Sequence, residues 1–394
     1  MNKGKSAEKY VEHFANTAYL KQWCYPNPKD EKGSEKEICD LLILFKMTCI
    51  IISIKNYELK GNYERFQKKV IEKSTKQLYG AERKLFNSGE VYIKHPEKGI
   101  EKFETEKYKN IIRITINMGE LYENYSLGDI KEGKGFINII HRDSFSQIIQ
   151  ELDTIPDLVE YLNEREKLLM TQYPIIIEGS ELDLLASFML YKRSFPPDFF
   201  KNKDGLKLNL KDSWINYDKQ NKNVKDRREA DKQSYIIDKL VGRDILNQRW
   251  GSELATELMN FKRVDRRIIA QNLYELVEKH KHNNEIFARR CFELNGILIL
   301  LISYPINTLK EDIDRFIEDA GAIYMYKYNY QYEKIIILGA TYDLSESKYG
   351  LVSRTNDQNE KGEKYLEELC KQYGWFQSMT TTKVEFKEFP NEPN

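Results

Sequence analysis

The sequence predicts a mixed α/β (α+β) protein, and the spacing of its apolar residues carries this prediction. Strand-like apolar runs lie near both ends of the chain, LLILF and CIIISI within residues 41–54 and GILILLIS and KIIILGA after residue 294. From residue 143 to 293 the apolar residues instead recur with the period of an α-helix. A chain of 394 residues also exceeds one typical core, so two or three domains are expected.

Three domains follow from these patterns: an N-terminal α/β domain at residues 1–142, a mainly helical domain at 143–293 and a small C-terminal α/β domain at 294–394. The prolines and the glycine of YPNPKDEKGS predict a loop between a first helix and an apolar hairpin. In chain order, the first domain is predicted to contain a helix at 5–23, the hairpin, a helix at 62–85 and strands at 91–94, 110–117 and 135–140.

The middle domain is predicted to be helical except for one polar stretch, residues 200–226, which indicates a long loop or a small insertion. Its helices are predicted at 144–152, 157–170, 182–193, 226–249, 251–260 and 264–281. The last domain is predicted to follow the order strand, helix, strand, helix, over GILILLIS, TLKEDIDRFIEDAGA, KIIILGA and EKYLEELCKQYG.

Composition and charge indicate what kind of partner the protein binds and in which compartment it lies. Lys+Arg and Asp+Glu both total 62, but residues 1–85 hold 17 basic and 11 acidic residues, which favours an N-terminal module that faces a polyanion. The five cysteines form no CxxC pair and the five histidines show no zinc spacing, so buried free thiols in a reducing compartment are expected. No signal-peptide pattern and no apolar run of about 18 residues is present, which predicts a cytoplasmic protein without a membrane partner.

The apolar hairpin carries charged residues at its open end. Asp40 stands at the start of its first strand, and Ser53 and Lys55 share one face of its second strand because strand side chains alternate. A carboxylate beside a lysine amine suits metal-assisted phosphodiester cleavage, in which the carboxylate holds Mg²⁺ and the lysine orients water or stabilises developing charge. The ordinary alternative is a pair of solvated strand-end residues or a surface ion pair.

The hairpin contains Asp40, a turn and Ser53-Ile54-Lys55, and its first strand belongs to the segment GSEKEICDLLILF. These motifs resemble those of the PD-(D/E)xK, or restriction-endonuclease-like, nucleases, and the resemblance covers about residues 5–95. The resemblance implies a core of a helix, a hairpin that carries the Asp and (D/E)xK positions, and a second helix. It implies a nuclease dependent on Mg²⁺ or Mn²⁺, with Asp40 and the Ile54 carbonyl as metal ligands and Lys55 holding the water. It further implies a glutamate from the first helix, for which Glu12 fits better than Glu8.

At Ser53 the chain departs from the family pattern, which has its second carboxylate at that position. A serine hydroxyl is a poor ligand for Mg²⁺, because this cation prefers carboxylate, carbonyl and water oxygens. Glu37, Glu12 or Glu58 could supply the missing carboxylate. Otherwise the site is inactive.

The helix predicted at 62–85 has one apolar and one basic face. At 100° per residue five of its cations lie on a single stripe with Glu72 alone among them, and a phosphate backbone would relieve their mutual repulsion. The ordinary alternative is a solvated face. The basic stripe consists of Arg65, Lys69, Lys73, Lys76 and Arg83. Gln77 lies at the border between the stripe and the apolar face, similar in position to a glutamine near the active site of exonuclease-like members of the superfamily, and Glu82 lies at the opposite border.

The segments QLYGAERKL and ELDTIPDLVEYLNEREKLL are similar to bacterial proteins that begin with such a nuclease-like module and continue into a helical domain. This resemblance implies defence against phage or plasmid DNA, with a homo-oligomer or a defence-system partner protein. GxxxxGK[ST], HExxH and GxSxG are absent, as is GxGxxG after a strand, so a nucleotide-driven motor is not expected. Three functions remain: a Mg²⁺-dependent nuclease acting on DNA, with RNA as the alternative substrate; a catalytically inactive nucleic-acid-binding module; and an interaction scaffold.

Overall fold

The computed structural model describes residues 9–10, 21–33, 35–57, 62–119, 128–131, 133–171, 175–200, 206–282, 287–354, 360–376 and 387–391. Within these residues helices and strands form a mixed α/β architecture, which confirms the predicted fold class. The chain divides into two compact units, Met1–Lys225 and Asp226–Asn394. The domain boundaries predicted after residues 142 and 293 therefore fall inside these units.

A six-stranded sheet is the largest sheet of the first unit. The strands up to residue 141 are β1 (Cys24–Pro26), β2 (Leu41–Phe45), β3 (Thr48–Lys55), β4 (Tyr92–His95), β5 (Gly99–Lys102), β6 (Asn110–Asn117), β7 (Gly128–Asp129) and β8 (Ile137–His141). The order across the sheet is β1-β2-β3-β6-β8-β7, and β4 and β5 form a separate hairpin. β1, β2 and β3 are antiparallel neighbours, whereas β3, β6 and β8 run parallel. The predicted hairpin and the strand predicted at 110–117 are thus confirmed.

The crossover from β3 to β6 contains the predicted basic helix. It begins as α1 (Tyr63–Phe66), continues through a π-helical turn at Gln67–Glu72 and ends as α2 (Lys73–Asn87). Asn62 caps it, because the Asn62 side chain accepts the N–H of Arg65 at 3.0 Å. The buried side chains that pack against β2 and β3 are Phe66, Val70, Ile71, Leu78, Ala81 and Leu85. The π-helical turn was not predicted, and it alters the angular spacing from which the basic stripe was placed.

The first unit continues with mainly helical structure. After β8 come α3 (Arg142–Glu151), α4 (Ile155–Leu169), β9 (Ile175–Glu178), α5 (Glu181–Leu190), β10 (Leu206–Asn209), α6 (Ser213–Ile215) and a π-helical turn at Asn216–Gln220. The stretch at 200–226 was predicted to be a long loop or a small insertion. The loop alternative is wrong in part, because β10 pairs in parallel with β9 and helical turns follow it. Most of the helix predicted at 5–23 lies outside the described residues; residues 9–10 are helical and Lys21–Trp23 form a 3-10 turn.

The second unit begins within a region that the sequence predicts as one helix at 226–249, and this prediction is wrong in its continuity. The structure divides the region into α7 (Lys222–Asp231), a 3-10 turn at Lys232–Ser234, α8 (Tyr235–Leu240) and a π-helical turn at Val241–Ile245. The two helices that follow are confirmed; they are α9 (Gly251–Met259) and α10 (Arg263–His280). These two helices precede the four-stranded sheet of the second unit in the chain.

A four-stranded sheet completes the second unit. Its elements are β11 (Ala288–Leu294), β12 (Ile297–Tyr304), α11 (Lys310–Lys327), β13 (Lys334–Thr341), β14 (Ser347–Ser353) and α12 (Glu360–Gln372). The order is β11-β12-β13-β14, with β12 and β13 parallel and both outer pairs antiparallel. The predicted strand–helix–strand–helix order is confirmed, but β11 and β14 were not predicted. In the described parts of both units, no helix combines the length and apolar character needed to cross a bilayer.

Candidate functional site at the end of the hairpin

The β2–β3 hairpin places Asp40 beside the end of β3. The register pairs Leu41 with Ile52, so the preceding residue, Asp40, comes opposite Ser53. Asp40 Oδ2 accepts the backbone N–H of Ile54 at 2.6 Å. Among the described residues nothing else hydrogen-bonds to this carboxylate. The structure therefore brings Asp40 to the end of the strand that carries Lys55, as the alternation of the two strands predicts.

Lys55 is the last residue of β3 and is half-buried. Its Nζ donates to the carbonyl oxygen of Ile54 at 3.4 Å. Burial lowers the pKa of Lys55, the nearby Asp40 carboxylate raises it and the Lys73 ammonium lowers it. Lys55 makes no direct ion pair with a described carboxylate. Its ammonium group thus lies among charges of both signs and is not tied to one partner.

Glu37 is a second carboxylate in this region. It is exposed and forms an isolated antiparallel bridge with Lys29. Partial desolvation raises the pKa of Glu37 and the Asp40 carboxylate raises it further, while Lys29 and Lys55 lower it. Asp40 and Lys55 thus both act on Glu37 electrostatically, and with opposite effects on its pKa.

Ser53 is buried below these charged groups, with 2% of its surface exposed. Its Oγ has no hydrogen-bond partner within the described part of the chain. On the neighbouring strand Thr115 occupies the matching position and donates its hydroxyl to Ser74 Oγ of α2 at 2.9 Å. An unpaired buried hydroxyl lowers the free energy of unfolding by about 1–3 kcal/mol. Ser53 is thus a position between β3 and α2 at which the described interior offers no polar partner.

The carboxyl edge of the parallel strands adds two residues that the sequence analysis missed. Lys55, Asn117 and His141 are register partners at the ends of β3, β6 and β8. Asn117 Oδ1 accepts the N–H of Gly119 at 3.1 Å, and His141 Nε2 lies 3.0 Å from the Gly119 carbonyl oxygen. Ligands of open α/β sheets commonly bind at this edge. Asn117 and His141 can be identified because three parallel strands end at the same edge of the sheet. To recognise this from the sequence, one would have to know which strands are neighbours.

The basic stripe is exposed along its whole length, at Arg65, Lys69, Lys73, Lys76 and Arg83. Of these cations, Lys73 is close enough to Lys55 to lower the pKa of that lysine. At a rise of 1.5 Å per residue, Arg83 lies about 15 Å further along α2 than Lys73. The guanidinium of Arg65 lies over the ring of Tyr57, 5.4 Å from its centroid. Lys73, in the middle of the stripe, is thus the stripe cation that acts on Lys55.

Gln77 and Glu82 border the stripe in different ways. Gln77 is exposed and makes no hydrogen bond to the described site residues, whereas Ser74, nearly one turn earlier, reaches the sheet. Glu82 accepts two hydrogen bonds from the Arg113 guanidinium of β6, at 2.6 and 2.7 Å. Because the Arg113 side chain is only 7% exposed, this pair anchors α2 to the sheet. Glu82 therefore has a structural role.

The oxygen atoms at the open end of the hairpin are of the type that a hard divalent cation such as Mg²⁺ binds. Glu12, Glu8 and Glu58 lie outside the described residues, and within the described ones no group of three or more acidic, histidine or cysteine side chains is placed to hold a metal ion. Asp40 and Glu37 offer carboxylates, and Ile54 offers a carbonyl. Mg²⁺ is commonly held by one or two carboxylates together with waters and substrate phosphates, so this smaller set is sufficient in type and number.

No protein-family model and no curated protein matches this chain.

Proposed function

We propose that this chain is a Mg²⁺- or Mn²⁺-dependent nuclease that hydrolyses phosphodiester bonds of DNA at the carboxyl end of β3. The observation that carries the proposal is the position of Asp40, whose Oδ2 is held by the Ile54 N–H at 2.6 Å beside the half-buried Lys55. Asp40, Ile54 and Lys55 are also among the residues that carry the resemblance to the PD-(D/E)xK nucleases. A carboxylate, a backbone carbonyl and a lysine at one strand end are groups suited to metal-assisted phosphodiester cleavage.

The residues that would hold the metal ion are Asp40, Glu37 and the carbonyl of Ile54. When bound, the ion lowers the pKa of a coordinated water and neutralises charge on the phosphate. The Ile54 N–H fixes one oxygen of Asp40, which orients the carboxylate in advance of binding. In an extended strand the N–H and C=O of one residue point to the same side, so the Ile54 carbonyl faces the side on which Asp40 lies.

Lys55 supplies a positive charge next to the carboxylates. As a cation its Nζ can donate to a phosphate oxygen or to the attacking water and stabilise the negative charge that develops on the phosphate. Because burial lowers its pKa, the ammonium gives up a proton more readily than a surface lysine does. Lys73 adds a second positive charge nearby, which favours an anionic substrate.

DNA is the substrate proposed for the surface beside the site. Five exposed cations lie along the helix, one of which, Lys73, acts on Lys55, and a phosphate backbone would neutralise them. RNA carries the same backbone charge and is the alternative substrate. A cleavage assay on both nucleic acids distinguishes the two. A role in defence against phage or plasmid DNA, with a homo-oligomer or a defence-system partner protein, is proposed on the sequence resemblance.

A catalytically inactive nucleic-acid-binding module is the second candidate, and Ser53 is the observation that favours it. A buried hydroxyl stands where the family pattern has an acidic side chain, so the position brings no negative charge to a metal ion. Under this alternative the basic stripe binds DNA while Asp40 and Glu37 hold no metal. The two candidates therefore differ in metal binding and in cleavage, and agree in salt-sensitive DNA binding.

Cleavage assays on two variants test the proposed site. Asp40→Asn removes the charge of the ligand and Lys55→Met removes the ammonium, each with little change in side-chain volume. Plasmid, single-stranded DNA and RNA are incubated with the full chain in Mg²⁺ or Mn²⁺. Both variants should lose at least about 100-fold in cleavage rate, because removing such a group costs several kcal/mol of barrier.

The matched controls are Glu106→Gln and Lys109→Met, which remove the same types of charge from an exposed ion pair of the first unit. Both controls should cleave at the wild-type rate. A folded Asp40→Asn protein that also cleaves at that rate would contradict the site. DNA binding by the wild type without cleavage and without Mn²⁺ binding would favour the inactive module.

A further inference from the structure

Among the described residues, strand β14 forms an open edge of the sheet in the second unit. It is the last strand in the order β11-β12-β13-β14, and β13 is its only strand neighbour among the described residues. Its first six residues are half-buried and the last, Ser353, is exposed. One side of an edge strand presents a row of backbone N–H and C=O groups that can pair with another strand. β14 therefore offers such a row to a partner.

A groove of about 1000 Å³ runs along this edge. Residues 345–352, which are the turn before β14 and the first six residues of β14, line its floor. One wall is a face of α11, formed by Lys310, Asp314, Ile317 and Glu318. The opposite wall is formed by Arg243, Asp244, Asn247, Gln248 and Trp250. Lys348 contacts the first wall and Tyr349 the second, and neighbouring residues of a strand face opposite sides. Among the described residues, the unpaired edge of β14 therefore lies between two walls of side chains.

The two walls differ in chemistry. Trp250 is 57% exposed, and its ring centroid lies 5.6 Å from that of Tyr349, so one wall is aromatic. On the other wall, Lys348 forms an ion pair with Asp314 at 2.7 Å, while Glu318 is exposed. An aromatic surface favours apolar side chains, and an exposed carboxylate favours a cation.

The charges that line the groove favour a basic partner. The ion pairs Lys348–Asp314 and Arg243–Asp244 cancel four of these charges. The remaining charged residues of the lining are Lys310, Glu318 and Glu346. The groove therefore keeps one more negative than positive charge, which complements Lys or Arg on an entering segment.

We propose that β14 binds an extended, basic peptide segment of a partner protein, which adds to its free edge as a further strand. Main-chain hydrogen bonds supply the part of the affinity that does not depend on sequence, and alternate side chains contact the two walls. Apolar residues of the segment face Trp250 and Tyr349, and a Lys or Arg faces Glu318. This binding surface lies in the second unit and does not depend on the proposed nuclease site.

The recessed position of the edge favours a peptide over a second copy of the chain. Two copies that joined through β14 would each bring α11 and residues 243–250 against the same walls of the other copy. An extended segment has no such flanking elements, so it can enter between the walls. β14 has seven residues, which at about 3.3 Å per residue corresponds to a partner strand about 23 Å long.

Binding of synthetic heptapeptides to the full chain tests the proposal. The peptides alternate Val, Ile, Phe or Trp with Lys or Arg, and fluorescence anisotropy gives the Kd of each. At least one should bind, and its counterpart with Glu in place of every cation should bind at least about 10-fold more weakly, a difference of about 1.4 kcal/mol. Failure of every peptide to bind would overturn the proposal.

Backbone methylation of the tightest peptide identifies strand pairing. The N–H groups of successive residues in an extended peptide point to opposite sides, so only one alternate set can pair with β14. N-methylation of that set should abolish binding, and N-methylation of the other set should leave it within a few-fold of the parent. Equal loss, or equal retention, in both sets would overturn strand addition.

Two variants of the chain place the peptide in the groove. Glu318→Lys should weaken binding of the basic peptide at least about 10-fold. Glu311→Lys makes the same change on the same helix outside the groove and should bind as the wild type does. Trp250→Ala, at an exposed position, should also weaken binding. Equal effects of Glu318→Lys and Glu311→Lys, or a dimer that Trp250→Ala dissociates, would overturn the proposal.

Discussion

Lys55 lies among charges of both signs at the end of β3, and their balance sets its protonation. Burial lowers the pKa of Lys55, Asp40 and Glu37 raise it, and Lys73 lowers it. A lysine whose pKa is below its usual value loses its proton at a lower pH than an exposed lysine does. If cleavage requires the ammonium form, the cleavage rate should therefore fall on the alkaline side of the pH profile.

Lys73→Met should move this alkaline fall to higher pH. Removing a neighbouring positive charge makes the Lys55 ammonium easier to retain, so the pKa of Lys55 rises. The pH profile of kcat for DNA cleavage measures the shift, and Lys76→Met, which removes an exposed lysine of the same stripe, is the control. An alkaline limb that stays in place in Lys73→Met, or moves equally in both variants, would contradict the role of Lys73.

Ser53→Asp should couple folding stability to metal. An aspartate at this position would place a negative charge where almost no surface is exposed, so the variant should unfold at a lower temperature than the wild type in the presence of chelator. Added Mn²⁺ should raise its Tm more than that of the wild type. Ser53→Ala is the control and should be nearly neutral, because the hydroxyl has no described partner. Mn²⁺ binding by Ser53→Asp alone would favour the inactive module, and no response to Mn²⁺ would remove Ser53 from the site.

The sequence predicts the residue positions that local geometry determines. Alternation along two strands joined by a short turn is sufficient to bring Asp40 next to Lys55. The pair formed by Glu82 and Arg113 could not be predicted in this way, because 31 residues and a crossover separate its members. Asn117 escaped prediction for the same reason, since its position depends on which strands are neighbours.

At the scale of secondary-structure elements, the basic helix shows which features of a helix the spacing of apolar residues predicts. Apolar residues at helical spacing predict that the helix exists and which face is buried. They do not predict the π-helical turn at Gln67–Glu72. Ser74, just after this turn, donates its hydroxyl to the carbonyl oxygens of Val70 and Ile71, at 2.6 and 2.9 Å, and such side-chain bonds compete with the backbone ladder of a helix.

Lys69→Glu combined with Lys76→Glu should weaken DNA binding about equally for unrelated duplexes, because phosphate contacts do not distinguish base sequences. This double variant leaves Lys73, which acts on Lys55, in place. The slope of log affinity against log salt should flatten by about 0.9 for each phosphate that the variant no longer neutralises. Binding is measured in chelator, where cleavage does not occur.

Lys107→Glu combined with Lys109→Glu is the matched control for this experiment, since it reverses two exposed charges elsewhere in the first unit. Its salt slope should equal that of the wild type. An unchanged slope in the stripe variant would show that the stripe is an ordinary solvated face.

The strands that escaped prediction are those whose conformation depends on a neighbour. β12 and β13 are apolar runs buried along most of their length, and the sequence predicts both. β11, ARRCFEL, and β14, SKYGLVS, are mostly half-buried edge strands with several polar residues. Pairing with β12 and β13 imposes their extended form, and a pattern within one short segment does not contain that information.

At the scale of the whole chain, the described residues of each unit include a hydrophobic cluster and a buried ion pair. The first unit contains Arg165 paired with Glu181, and the second contains Arg267 paired with Asp231 at 2.9 Å. Units with their own cores can unfold in separate transitions, so a single free energy of unfolding need not describe the chain. Loss of one buried pair should then affect one unit.

Glu181→Gln should destabilise the first unit alone. Arg165 is fully buried, and its guanidinium donates to both carboxylate oxygens of Glu181, at 2.7 and 2.8 Å. Removing the carboxylate charge leaves a buried arginine without its counter-charge, which costs about 3–5 kcal/mol. Scanning calorimetry should show two transitions, of which one moves to lower temperature in Glu181→Gln and neither moves in the exposed control Glu106→Gln. A single transition that shifts as a whole would mean that the two units unfold together, and transitions that both stay in place would mean that Arg165 is satisfied without Glu181.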